Sequence, residues 1–182
     1  MARVLHIVQS LEAGGAERVV VEYALAHDRS RISRGLLVVK GGPLEESLKA
    51  AGVPVHILER GRRYNVAAGL RLARLIRRRR YEIVHNHNFT ALAVGVPAAV
   101  LGGARCVVRT EHNVVFSHHW VRKLVSRIAA LREDAQIGVS RAVTASHRAN
   151  GRIPAGRFVT VWNGIDDARL RTTADRDSIR AE

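Results

Sequence analysis

Short apolar runs alternate along the chain with longer segments in which apolar residues recur every three or four positions. The short runs are rich in Val, Ile and Leu, which is typical of buried strands, and the longer segments have the period of amphipathic helices. The pattern predicts strands at 4–8, 35–39, 53–58, 82–85, 105–110, 135–140 and 158–162. It predicts helices at about 15–27, 43–52, 66–80, 90–101, 118–132 and 141–150.

Strict alternation of apolar strands with helices predicts an α/β fold. Strands that are apolar on both faces belong in a mostly parallel sheet covered by helices on each side. Right-handed crossovers then give a doubly wound, Rossmann-like sheet of about seven strands. Residues 1–166 are expected to form this domain, and 167–182 a charged tail or linker without an apolar period.

Polar and glycine residues follow several of the predicted strands. Because the strands are parallel, their carboxyl ends meet at one rim of the sheet, where such folds bind ligands. The residues expected at this rim are Gly14, Gly15, His85, His87, Glu111, His112, Asn113, Ser140, Asn163 and Gly164. Their convergence makes the rim the predicted binding site.

Gly14 and Gly15 lie between the first strand and the first helix. Bare backbone N–H groups at a helix N-terminus attract anions, and glycine lets a ligand approach the backbone closely. The spacing is not that of the dinucleotide-binding fingerprint. The pair therefore predicts a phosphate contact, with an ordinary strand–helix turn as the alternative.

The histidines at positions 85, 87 and 112 are candidates for metal binding, proton transfer or hydrogen bonding. We interpret His85 and His87 as projecting to opposite faces of their strand, so that they do not chelate one ion, and no metal site is predicted. They are expected either to face a ligand pocket or to be ordinary hydrogen-bonded side chains. His112 suits proton handling or a hydrogen bond to a hydroxyl. His118 and His119 are expected at a helix start, without a role in the site.

The net charge is +14, and 27 of the 30 basic residues are arginine, which indicates an anionic partner. Nucleic acid is not expected, because aromatic residues make up only 4% of the chain and no binding motif is present. Helix 66–80 carries the arginines Arg71, Arg74, Arg77, Arg78, Arg79 and Arg80, which form either a solvated face or a contact with an anionic membrane.

The opposite face of helix 66–80 is predicted to enter the core through Val66, Leu70, Ala73 and Ile76. Helix 118–132 is expected either to pack on the sheet or to lie on lipid. The N-terminus does not look like a signal peptide, and no apolar run approaches the length of a membrane span. We therefore expect a cytoplasmic protein, peripheral to the inner face of the membrane.

Five motifs in order resemble those of family 4 glycosyltransferases, which are retaining enzymes of GT-B fold. The opening RVLHIVQSLEAGGAERVVVEYA, the strand end IVHNHN, RTEHN, IGVSRA and VTVWNGID are similar to the corresponding family elements. The resemblance covers about residues 3–167. It implies an N-terminal, acceptor-side Rossmann domain, which is one half of a GT-B architecture.

The resemblance implies roles for the rim residues. Gly14 and Gly15 would approach the diphosphate of a nucleoside-diphosphate sugar, and His112 would lie beside the transferred sugar. His85 and His87 would shape the acceptor side, with Glu111, Asn113 and Ser140 also in the cleft. Asn163 and Gly164 would begin the crossover to a C-terminal donor domain. The acceptor would be a hydroxyl of a glycan or lipid-linked molecule, and neither a cofactor nor a metal is expected.

The donor-binding elements of the family belong to that second domain, in cis or in trans. The 182-residue chain alone is therefore expected to be inactive, and its exposed cleft face to be able to form a homodimer. Two alternatives remain at this stage: a non-catalytic Rossmann module that binds a phosphorylated or lipid ligand, and a fragment of a GT-B-related nucleotide-sugar epimerase.

Overall fold

Seven parallel strands form a single sheet in the computed structural model, which describes residues 2–12, 14–26, 32–58, 66–114, 120–151 and 157–164. The strands are β1 (Ala2–Ser10), β2 (Ile32–Lys40), β3 (Val55–Ile57), β4 (Ile83–His87), β5 (Cys106–Glu111), β6 (Ala135–Gly138) and β7 (Phe158–Thr160). The helices are α1 (Gly15–Ala26), α2 (Glu45–Ala50), α3 (Val66–Arg79), α4 (Asn88–Gly102), α5 (Trp120–Ala130) and α6 (Arg141–Gly151).

The sheet order is β3-β2-β1-β4-β5-β6-β7, and each neighbouring pair is parallel. The chain therefore winds outward from β1 in one direction and outward from β4 in the other. This confirms the predicted doubly wound α/β fold. The direction of winding changes between β1 and β4, and a crevice for a ligand opens at such a switch point.

Some element boundaries differ from the predicted ones in ways that matter for the site. Strand β4 continues to His87, so that both of its histidines lie within the strand rather than beyond it. Strand β6 ends at Gly138, two residues before Ser140. Residues 118–119 and 165–182, which include the two adjacent histidines and the charged tail, lie outside the described residues.

Two apolar clusters hold the helices on the two faces of the sheet. One joins Leu5 and Ile7 of β1 to side chains of α3, α4 and α5. The other joins Val8 to side chains of α1 and α2. Because successive strand residues point to opposite faces, β1 contributes to both cores. Central strands buried on both sides in this way cannot slip in register without exposing apolar side chains.

The predicted core face of α3 is partly wrong, and the structure decides between the two alternatives for helix 118–132. Leu72, Ala73 and Ile76 form the buried side of α3, whereas Val66 and Leu70, which were predicted to be in the core, are exposed. In α5 only Ala129 is buried among the apolar side chains. The apolar stripe of α5 therefore does not pack on the sheet. No helix within the described ranges is long and apolar enough to span a bilayer.

A buried ionic cluster supports the end of β5. The Arg109 side chain is 2% exposed, and its guanidinium lies 3.1 Å from carboxylate oxygens of both Glu111 and Glu133. Gln136 also donates a hydrogen bond to Glu133. Burial raises the pKa of the Glu133 carboxyl to about 7 in spite of the attraction of Arg109. The cluster fixes the backbone immediately before His112.

Two helical glycines differ in the room that a methyl group would find, which predicts opposite effects of alanine. A Cβ at Gly69 of α3 would meet nothing within 4 Å, whereas at Gly102 of α4 it would lie 2.8 Å from the Cβ of Ile76. Gly69→Ala should raise the free energy of unfolding by up to about 1 kcal/mol. Gly102→Ala should lower it by roughly 1–3 kcal/mol, because α3 and α4 must move apart. Urea unfolding of the two variants measures both effects, and shifts of the same sign would contradict the packing described.

The raised pKa of Glu133 predicts a pH dependence of stability. Between about pH 4.5 and 7 the folded state holds a proton that the unfolded state releases. The stability that protonated Glu133 contributes to the folded state is complete below pH 4.5 and is lost as the pH rises through 7. Glu133→Gln has no proton to release at this position. Between pH 4.5 and 8 its free energy of unfolding should therefore rise relative to that of the wild type by up to about 3 kcal/mol. Unfolding experiments at several pH values test this, with the exposed Glu46→Gln as control. Parallel profiles for the wild type and Glu133→Gln would refute it.

Candidate functional site

Histidines from three adjacent strands converge where the winding of the sheet changes direction. His6 of β1 is the register partner of His85 of β4, and His87 is the partner of Thr110 of β5. His112 follows β5 directly. Residues two apart on a strand project to the same face, so the prediction that His85 and His87 face opposite sides was wrong. Their rings stack with centroids 4.2 Å apart.

Hydrogen bonds connect these imidazoles into a chain. His6 Nδ1 lies 3.1 Å from His87 Nε2, and His87 Nδ1 lies 3.3 Å from His112 Nε2. His85 is tied separately, because its Nε2 lies 2.7 Å from the Thr110 hydroxyl. One nitrogen of His87 thus faces His6 inside the sheet and the other faces His112 at the rim. His87 is buried, so it supports His112 from below and does not line a cleft.

His6 is the member of this cluster that the sequence reading missed. It is almost completely buried in the middle of β1, and its apolar neighbours on the chain made the run look like an ordinary strand. A signal was nevertheless available. A doubly wound sheet places its first and fourth strands side by side, so that polar residues on those strands become neighbours.

Burial determines the charge state of the two central imidazoles. It lowers the pKa of His112 to about 4. It also holds the pKa of His87 well below 6.5, and the nearby His85, His6 and His112 add to that effect. Both rings are therefore neutral near pH 7, each with one donor and one acceptor nitrogen. A neutral His112 is suited to hydrogen bonding with a hydroxyl, and not to delivering a proton.

The segment after β5 is held from the side of α6. His147 Nε2 lies 3.0 Å from the Asn113 carbonyl oxygen and 3.9 Å from a carboxylate oxygen of Glu111. Glu111 is itself buried against Arg109. Its carboxylate therefore belongs to the ionic cluster, and it steadies the chain around His112 rather than facing a ligand. Asn113 is exposed beside it.

The glycine turn after β1 has open space on one of its two residues. A Cβ at Gly15 would meet nothing within 4 Å, whereas at Gly14 it would lie 2.3 Å from the Glu17 carboxylate. The Gly14 N–H already donates to the Glu12 carbonyl oxygen at 2.8 Å. The amides at the start of α1 are therefore the ones available to an anion, and Glu17 would have to turn away from it.

The last predicted rim residues have local roles in the structure. The Ser140 hydroxyl accepts a hydrogen bond from the Val143 N–H at 3.2 Å, which makes Ser140 the N-cap of α6.

Asn163 lies after β7, and its side-chain oxygen accepts a 3.5 Å hydrogen bond from the Tyr23 hydroxyl of α1. Tyr23 also approaches His87, with ring centroids 6.5 Å apart. Tyr23 thus lies between Asn163 and the histidines, and Gly164 is exposed.

The arginines of α3 lie away from the rim. Those predicted to form a basic surface are all exposed: Arg71, Arg74, Arg77, Arg78, Arg79 and Arg80. Near the amino ends of the strands, the Arg77 side chain donates a hydrogen bond to the Leu101 carbonyl oxygen at 2.6 Å, and the Arg79 backbone carbonyl oxygen accepts one from the Arg3 side chain at 2.8 Å. Arg77 and Arg80 line an open cleft of about 470 Å³ there.

The exposed stripe of α5 lies on the same face of the sheet as this basic surface. Trp120 is 70% exposed and Leu131, just after the helix, 77%, with Leu124 and Ile128 between them. Arg122 lies over the Phe89 ring of α4, 4.6 Å from its centroid, which holds α5 against α4. Because α3 packs on α4 in turn, the apolar stripe and the arginines occupy one side of the molecule.

Comparison with known proteins agrees with this fold. Residues 13–169 match the model of Glycosyltransferase Family 4. A curated Escherichia coli protein, UDP-Gal:alpha-D-GlcNAc-diphosphoundecaprenol alpha-1,3-galactosyltransferase, is 25% identical over 118 residues, which are 63% of this chain and 30% of that protein.

Solved structures of similar fold are about twice as long as the chain. Anabaena Alr3699/HepE in complex with UDP and glucose superposes with a TM-score of 0.80 at 19% identity, over 95% of this chain and 47% of that one. A glycosyltransferase from Rickettsia africae superposes with a TM-score of 0.77 at 19% identity, over 99% and 48%. The family match spans most of the chain and confirms the resemblance of its motifs: the chain belongs to Glycosyltransferase Family 4, as a Rossmann-like N-terminal domain of GT-B type.

Proposed function

We propose that the chain is the acceptor-side half of a retaining glycosyltransferase, which moves a sugar from a nucleoside-diphosphate sugar to a hydroxyl acceptor. The observation that carries the proposal is His112, held by His87 at the carboxyl end of β5 in a chain that matches the family. The HepE structure contains UDP and glucose, and the E. coli relative is named for galactosyl transfer from UDP-Gal to GlcNAc-diphosphoundecaprenol. A non-catalytic module or an epimerase fragment has no comparable support.

Each rim element has a part in this proposal. The first amides of α1, at Gly15 and beyond, would stabilise the departing diphosphate with fixed donors and the positive end of the helix dipole. That chemistry needs no metal at the diphosphate. His112 would hydrogen-bond to a hydroxyl of the transferred sugar and set its position. His87 would hold the His112 ring, while Tyr23 and Asn163 would connect this rim to the second domain.

The nucleotide would bind mainly to that second Rossmann domain, supplied in cis or in trans. The length of the solved relatives supports it, because this chain spans less than half of each. With only one side of the cleft, the 182-residue chain should not turn over a nucleotide sugar at a measurable rate.

His112→Ala should lower kcat of the two-domain protein about a hundredfold, because one hydrogen bond made at the reacting sugar is lost. His112→Gln keeps a polar group at the position and should recover part of the loss. The measurement is release of nucleoside diphosphate at saturating donor. His56→Ala is the matched control, since His56 lies on β3 against Tyr81 and outside the rim. Wild-type turnover by His112→Ala would refute the role of His112.

We also propose that the side formed by α3, α4 and α5 rests on an anionic membrane, where a lipid-linked acceptor would be found. Exposed apolar side chains at 124, 128 and 131 share one face of the sheet with the exposed arginines of α3, a combination that favours the interface between lipid headgroups and acyl chains. The sequence left two alternatives for helix 118–132, packing on the sheet or lying on lipid. The exposure of the α5 stripe adds the apolar half of the interaction.

Sedimentation with anionic and neutral vesicles tests this surface. Arg74→Gln with Arg78→Gln should weaken binding to anionic vesicles at least tenfold, because each basic residue near such a surface contributes about 1 kcal/mol. Leu124→Ser with Ile128→Ser should weaken it as well. Arg18→Gln with Arg141→Gln removes the same charge from other helices and should have a small effect. Equal losses for the two arginine pairs would show that only net charge matters, and the proposed surface would be wrong.

A further inference from the structure

Three imidazoles meet between β1 and β4 with the geometry of a metal-binding site. One ring nitrogen from each of His6, His85 and His87 lies within 4.8 Å of the other two, and this is the candidate metal-binding group among the residues that the structure describes. His6 Nδ1 and His87 Nε2 are 3.1 Å apart. Two nitrogens bound to one tetrahedral Zn²⁺ at about 2.0–2.1 Å are about 3.3 Å apart. This pair already has nearly the separation that an ion requires.

In two of the three histidines, His85 and His87, the outer ring nitrogen is held by a hydrogen bond as in known zinc sites. Metal-binding histidines almost always use their second ring nitrogen in a hydrogen bond that fixes the ring. His87 Nδ1 contacts His112 Nε2, and His85 Nε2 contacts the Thr110 hydroxyl at 2.7 Å. These bonds leave His87 Nε2 and His85 Nδ1 as the inner nitrogens, together with His6 Nδ1. A rotation of the half-buried His85 ring would bring its nitrogen to ligand distance.

The backbone makes this arrangement a stable one. His6 and His85 are register partners on adjacent parallel strands, and His87 is two residues further along the same face of β4. Each strand is buried in the sheet, so the three Cβ positions are fixed relative to one another. A site built on strands in this way needs only side-chain adjustment to bind an ion.

The donor atoms select the type of ion. Three imidazole nitrogens suit Zn²⁺, Ni²⁺ and Cu²⁺, whereas Mg²⁺ and Ca²⁺ prefer oxygen ligands. The ligands are neutral, so a bound Zn²⁺ keeps its full charge in a largely buried place. We therefore expect weaker binding than at a site with thiolate ligands, with water as the fourth ligand.

We propose that His6, His85 and His87 bind one Zn²⁺ or related transition-metal ion between β1 and β4, beneath His112. The ion would join the two strands at which the winding of the sheet reverses. It would also fix the His87 ring, and through it the orientation of His112. This site is separate from the diphosphate position at the start of α1, and it does not depend on the transferase activity.

The test uses the purified 182-residue chain, first treated with a chelator and then titrated with ZnCl₂ by calorimetry at constant pH. We expect one equivalent of Zn²⁺ to bind and to raise the unfolding temperature, since a ligand that binds only the folded state stabilises it. Co²⁺ in place of Zn²⁺ should give visible absorption typical of a tetrahedral site. Metal analysis after gel filtration checks the stoichiometry.

His85→Ala should weaken Zn²⁺ binding at least tenfold and abolish the Co²⁺ absorption. His85→Gln serves as a second variant, because it keeps a polar group near Thr110 while lacking the imidazole. His56→Ala and His147→Ala are matched controls, as each removes a histidine outside the cluster, and both should bind Zn²⁺ as the wild type does.

One measurement needs no variant. Nitrogen-15 NMR of the wild-type chain should show the ring nitrogens of three histidines shifting together on addition of one equivalent of Zn²⁺. Binding that is unchanged in His85→Ala would place the ion elsewhere and overturn the proposal. So would the absence of any ring-nitrogen shift at one equivalent, whatever the behaviour of the variants.

Discussion

The parallel pairing of β1 with β4 is the constraint on which the rest of the molecule depends. The chain winds outward on both sides of this pair, so the crevice of the fold lies at its carboxyl end. The pairing also places His6 opposite His85. Because both strands are covered by helices, a shift of one residue would expose apolar side chains on each face. The same register that forms the core therefore assembles the polar cluster.

Buried polar groups in this protein are arranged in two sets with different consequences. The His87 and His112 imidazoles are neutral near pH 7, and hydrogen bonds join His6, His87 and His112. The ionic cluster contains one guanidinium and two carboxylates, and burial brings the pKa of Glu133 to about 7. A partly protonated Glu133 reduces the excess negative charge around Arg109. Both sets lie beside the end of β5, so the position of His112 is fixed from two directions.

The sequence predicted the fold well because the apolar runs mark every strand, and a parallel sheet follows from their alternation with helices. It also predicted that His85, His87 and His112 meet at one rim. It failed where the answer depends on neighbours in space. His6 is polar inside an apolar run, and only its pairing with β4 reveals a partner. The predicted orientation of His85 relative to His87 was wrong for a different reason, because residues two apart on a strand share a face and the sequence itself implied that the two rings lie together.

The sequence also could not predict which apolar helix faces are covered. An amphipathic pattern identifies an apolar face but not what covers it, and both α3 and α5 present apolar residues to the outside. In α3 the buried side is displaced toward Leu72, which leaves Val66 and Leu70 exposed. Both residues are thus exposed on the helix that carries the arginines. The histidine cluster and the surface on α3 and α5 are thus separate parts of the molecule, on opposite faces of the sheet. A metal ion at the β1–β4 pair would lie on the opposite face of the sheet, beside α1, and would act on His112 through the His87 ring.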